Sequence, residues 1–97
     1  MKIEVPHNLG TEQALTKLKT FADQLLNDHK DIVQDVTQSW TGNTGQFNLK
    51  AKGFDIKGII NILADKVIVE SKLPMMLRPF QNQIETIIVD ELKKLLK

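Results

Sequence analysis

Val36-Thr37-Gln38-Ser39-Trp40-Thr41-Gly42-Asn43-Thr44-Gly45-Gln46-Phe47-Asn48-Leu49-Lys50-Ala51 is the stretch that decides the fold. Val36, Gln38 and Trp40 share one face, Gly42 to Gly45 have turn composition, and Phe47, Leu49 and Ala51 alternate with polar neighbours. This is the period of two of a hairpin with one buried and one wet face. The same period runs from Ile32 to Leu73, with further turns at Gly53-Phe54 and Asp65-Lys66. Pairing symmetrically about the turns sets Trp40 opposite Phe47, Leu49 opposite Gly58 and Ile62 opposite Val69. The inward set over four strands is then Val36, Trp40, Phe47, Leu49, Ala51, Ile56, Ile60, Ile62, Val67, Val69 and Leu73. A one-residue slip in any hairpin scatters that set, so the agreement supports this register.

Outward from the hairpins, Ile3 and Val5 alternate with Lys2 and Glu4 as a first strand stopped by Pro6. Thr11 is the expected N-cap of a helix whose stripe is Ala14, Leu15, Leu18, Phe21, Ala22, Leu25 and Leu26, running out near His29. A closing helix starts around Pro79 and carries Phe80, Ile84, Ile87, Ile88, Leu92 and Leu95 on one side, with Lys93, Lys94 and Lys97 at its negative end. Each helix has one apolar stripe and the sheet has one apolar face. The expected architecture is therefore a single α+β domain over residues 1–97 in the order β-α-β-β-β-β-α. It is an antiparallel meander with both helices packed on one face, helix-grip-like.

Composition narrows the class. Hydrophobic content of 41% with 26% charged residues describes an ordinary globular chain, and a net charge of +1 demands no acidic partner such as nucleic acid. No cysteine is present, which removes disulfides, thiolate catalysis and zinc–sulfur sites. No apolar stretch reaches the roughly 18 residues of a transmembrane helix, and Met1 to Pro6 have no signal-peptide character. A cytoplasmic protein without a cofactor is expected.

Candidate sites are few. His7 and His29 have no His/carboxylate cluster at ligand spacing, so no metal site is expected, and His29 reads as a solvated helix end. The carboxylates read as scattered over turns and polar faces, with no pair forced together. Gly42, Gly45 and Gly53 read as turn residues. Gly58 lies in mid-strand opposite Leu49 with Ser71 nearby, so Trp40, Leu49, Gly58 and Ser71 are the candidate walls of an apolar pocket, unless Leu77 or Phe80 fills the hollow. On the polar face Lys50 and Lys57 are opposed with Lys52 close by, a modest basic patch. Leu63 is set opposite Ile68 there, with Ile59 one step along, and this is the candidate interaction surface, for a homodimer or an apolar partner. Met75 and Met76 are expected to fill the core, and Arg78 is a lone charge in an apolar joint.

Together, Pro6-His7-x-Leu9-Gly10, Trp40-x-Gly42 with Phe47, Gly53 and Gly58, and Leu73-Pro74 leading to Ile84-Glu85 resemble the polyhydroxyalkanoic acid system protein family of bacteria, over essentially the whole chain. The resemblance implies association with the storage of polyhydroxyalkanoate, an apolar polyester held in cytoplasmic granules, and it brings no catalytic residues. His7, Gly10, Trp40 and Arg78 are the motif residues without an assigned role. The expected function is a non-enzymatic accessory protein that meets a granule or a granule-coat protein through apolar surface. The rivals are a binder of a small apolar ligand near Gly58, and an enzyme that would need His7 to meet a carboxylate or Arg78 in a cleft.

Overall fold

The computed structural model describes residues 1–97. Five strands form one antiparallel sheet: β1 Lys2–Pro6, β2 Val33–Thr41, β3 Thr44–Ala51, β4 Phe54–Ile62 and β5 Lys66–Ser71. Their spatial order is β1-β5-β4-β3-β2, so the first strand joins the far edge of the meander beside β5. Three α-helices stand where two were expected, α1 Gly10–Leu18, α2 Phe21–Asp28 and α3 Gln81–Leu95, with a 3₁₀ segment at Met75–Phe80 leading into α3. The α+β expectation holds.

The alternation holds too, and the pairing does not. Trp40 lies opposite Gly45, Phe47 opposite Gly58, Leu49 opposite Ile56, and Ile62 opposite Val67. Each hairpin is displaced by two residues from the expected register, because its turn is tighter. Pairing begins at Thr41–Thr44 and at Ala51–Phe54, leaving two-residue loops. Lys52 and Gly53 have φ of 55° and 83°, the conformation whose twist matches paired strands. A two-residue slip keeps every side chain on its face while changing every partner. The inward residues from Phe47 to Val69 are accordingly buried as expected, whereas Gly45 sits inside β3 and not in a turn.

One irregularity re-phases β2. Asp35, with φ of 53°, and Val36 together oppose the single residue between Asn48 and Lys50, a β-bulge. The extra residue brings Val33 into the core (2% exposed) while Val36, Gln38 and Trp40 still face inward, half buried.

The single first helix of the sequence reading is broken at Lys19-Thr20, and Leu9, not Thr11, occupies the N-cap position. The break is plugged from the sheet. Gln38 Oε1 accepts from Ala22 N at 3.1 Å, and its Nε2 donates to Lys19 O at 2.6 Å. A polar side chain on an apolar face thus replaces the backbone partners that a continuous helix would supply. Gln38→Ala leaves these groups short of partners. An expected loss of about 1–3 kcal/mol in urea unfolding, with the m-value unchanged, checks this role.

Phe47 occupies the centre of the core. Its ring is 6.1 Å from that of Phe21 on α2, edge to face, and 1% of Phe47 is exposed. On α3 the buried residues are Ile84, Ile87, Ile88, Leu92 and one carboxylate, Glu91.

Candidate functional site

The expected pocket around Gly58 is filled. A Cβ at Gly58 would lie 2.2 Å from Phe47 Cζ, so the ring of its cross-strand partner, not Leu77 or Phe80, takes the place of a side chain there. Trp40 covers Gly45 in the same way, with ring carbons 2.8 Å from a built Cβ. Aromatic rings laid over glycines opposite them explain both glycines. The four expected wall residues do not converge. Gly58 and Ser71 border an open depression that also includes Lys57, Ile59 and Glu70, Trp40 borders a separate one beside Lys19 and Ala22, and Leu49 is buried. Ser71 Oγ donates to Lys57 O at 2.7 Å.

On the outer face, Asn61 and not Leu63 lies opposite Ile68, and Ile59 pairs with Glu70 and Gln46. Ile59 and Leu63 are exposed and Ile68 is half buried, so the apolar patch is real but interrupted by polar neighbours. The basic pair also dissolves, since Lys50 lies opposite Asp55 and Lys57 opposite Asn48.

His7 is buried and works as a clasp. Leu9 N donates to its Nδ1 at 3.1 Å, and Nε2 lies 3.0 Å from Leu63 O. An amide can only donate and a carbonyl only accept, so Nε2 carries the proton. Its backbone N–H donates to Asp65 O at 2.9 Å. His7 thereby ties the β4–β5 turn to the start of α1, where Gly10 has φ of 75°. Neither a carboxylate nor Arg78 hydrogen-bonds to it. Arg78 is exposed and borders a depression with Met1, Lys72, Leu73 and Gln81.

Two features escaped the sequence reading. The first is the tip formed by the 3₁₀ turn and the β3–β4 turn. Met75 and Met76, expected in the core, are 75% and 68% exposed, the most exposed large apolar residues of the molecule. Leu77 alone in this segment turns fully inward. Phe80 is partly exposed with Lys52 Nζ 5.0 Å from its ring centroid, and Phe54, also partly exposed, follows the same turn. The signal was the pair of prolines, Pro74 and Pro79. They hold the segment to a short 3₁₀ helix of six residues with too little length to bury both methionines.

The second is a buried carboxyl cluster between α2 and α3, where scattered solvated carboxylates were expected. Glu91 is 3% exposed, its Oε1 is 3.6 Å from His29 Nε2, and its Oε2 has no donor partner. Burial first, and the neighbouring Asp28 carboxylate second, push Glu91 up to about 7. Asp28 is held well below the usual carboxylate range by its hydrogen bond with Glu91 and by Lys94 Nζ at 2.7 Å. His29 is half buried against this pair and so is not a free helix end. Glu91 lies seven residues after Ile84 and four after Ile87, squarely on the apolar stripe, and that spacing was the available signal.

No group of three or more His, Cys, Asp or Glu residues is arranged to hold a metal ion, and no helix is long and apolar enough to cross a membrane. What fold and site define is a small α+β protein with a filled core, whose distinctive surface is an exposed apolar tip. The chain belongs to the family described as putative polyhydroxyalkanoic acid system protein, whose family model matches residues 1–96. Comparison with curated proteins and with solved structures returns no match.

Proposed function

We propose that this is a non-enzymatic accessory protein of the polyhydroxyalkanoate system, acting in the cytoplasm by contacting the polyester granule or its coat through apolar surface. The observation that carries the reading is the exposed Met75-Met76 pair, with Phe80 of the same 3₁₀ segment and Phe54 beside the Lys52-Gly53 turn also partly exposed. Large apolar side chains gathered on a surface mark contact with something apolar, and the family membership supplies a polyester system as the setting. The non-enzymatic part is supported by the engagement of His7, Gln38 and Glu91 with neighbouring groups, while Trp40 Nε1 and Glu91 Oε2 are left without a hydrogen-bond partner. His7 binds backbone, Gln38 plugs a helix break, and Glu91 is paired with Asp28. The filled space over Gly58 favours surface contact over a small apolar ligand held beneath it.

The test is co-sedimentation of the purified chain with polyhydroxyalkanoate particles. Wild type is expected to pellet with them, and Met75→Ser/Met76→Ser to lose most of that association while keeping its melting temperature. A Leu63→Asp/Ile68→Asp variant probes the outer face. Loss there, with the methionine variant unaffected, moves the contact to that face and to self-association through it. A wild-type chain that ignores both particles and coat proteins rejects the reading.

A further inference from the structure

The tip differs from the rest of the surface in charge as well as in polarity. From Lys72 to Ile84 the only charged residues are Lys72 and Arg78, both positive. At the adjoining turn Lys52 stands against the Phe80 ring, and the first turn of α3 carries no acid. Asp55 is the nearest acid in that turn, and it faces Lys50 across the hairpin. Three cations, Lys52, Lys72 and Arg78, thus lie on or next to the segment that carries the exposed methionines, with Asp31 just before the neighbouring edge strand β2 and Asp35 within it as further charges at this end of the sheet.

Shape and area bear on what could meet this surface. The methionines ride on a six-residue 3₁₀ segment beginning after Pro74 and containing Pro79, and they are exposed. Methionine is unbranched and adapts to an irregular neighbour. The exposed parts of four side chains offer a few hundred Å² of apolar area. A small protruding apolar surface with neighbouring cations fits a fluid layer with negative headgroups.

We infer that Met75, Met76 and Phe80 insert into the surface of an anionic lipid layer, with Lys52, Lys72 and Arg78 contacting its headgroups. This names a partner for the same tip used in the proposed function and rests on that assignment of the surface, not on the polyester itself.

The experiment is sedimentation of the full chain with phosphatidylcholine vesicles, made with and without phosphatidylglycerol. Partition onto the anionic vesicles is expected to be at least about tenfold stronger, and to weaken in high salt. Met75→Ser/Met76→Ser should lower it about tenfold or more, and Lys52→Gln/Arg78→Gln should erase most of the preference for anionic lipid. All of these positions are exposed, so the melting temperatures of the variants should match wild type. Equal partition onto both vesicle types, no partition at all, or wild-type behaviour of the methionine variant each overturn the inference. Lipid-free polyester particles run in parallel separate the two readings. Binding to particles but not to anionic vesicles sinks the lipid inference alone. The reverse upholds it and sinks the polyester contact.

Discussion

Gly58→Leu is expected to destabilise the protein by about 3 kcal/mol or more, a large share of the stability of a domain this size. The reason is the position of Phe47. A Cβ at residue 58 meets ring carbons of Phe47 at 2.2, 2.3 and 3.1 Å, distances that real atoms do not tolerate. The ring has little room to retreat, because it is buried and packs edge-on against Phe21. Even Gly58→Ala must displace it. Phe47→Ala should cost about 3–5 kcal/mol by leaving a cavity and an uncovered glycine. Combining Gly58→Ala with Phe47→Leu should cost less than the sum of the two single changes, since the smaller side chain makes room for the new methyl. Urea unfolding of the set measures this. A Gly58→Leu protein within about 1 kcal/mol of wild type would mean that the space is not occupied as described, and would return the hollow to the apolar-ligand reading.

Raising the pH from about 5 to 8 is expected to lower stability by about 2–3 kcal/mol through Glu91. Its carboxyl titrates near 7 in the folded protein and has a model value of 4.5. Below 4.5 both folded and unfolded chains hold the proton, so the contribution is fully present. As pH rises through 7 the folded site must surrender that proton and bury a negative charge beside Asp28, and the contribution is lost. Asp28 works in the opposite sense. Its carboxyl is depressed, so its contribution is present above its ordinary value and fades as pH falls toward 2. For this cluster the optimum lies between the two, around pH 4 to 6. Glu91→Gln should flatten the slope between pH 5 and 8 and stabilise the protein at pH 8, because an amide donates to Asp28 without carrying charge. Urea midpoints across pH for wild type, Glu91→Gln and a His29→Gln control assign the slope. Retention of the full wild-type slope in Glu91→Gln removes Glu91 as its source.

Legibility in the sequence followed the range of each signal. The alternation from Phe47 to Val69 and the stripe from Ile84 to Leu92 are local, and both were read correctly. Register was not, because Thr41–Thr44 and Ala51–Phe54 pair through two-residue turns whose conformation, positive φ at Gly42 in the first and at Lys52 and Gly53 in the second, is fixed by strand twist. Val33 was missed because a bulge at Asp35 and Val36 shifts the phase by one residue. Glu91 was classed by residue type, although its stripe position pointed inward.

The sequence by itself determined the inward face of β3, β4 and β5, the number of strands and where the apolar stripes lie, because burial periodicity is written into each segment independently. Tertiary structure alone decided what lies opposite each residue. Phe47 fills the space over Gly58, Gln38 closes the break between α1 and α2, Glu91 is buried beside Asp28, and Met75 and Met76 stay outside. Those outcomes depend on turn geometry and on the approach of elements distant in the chain, and no single segment carries that information.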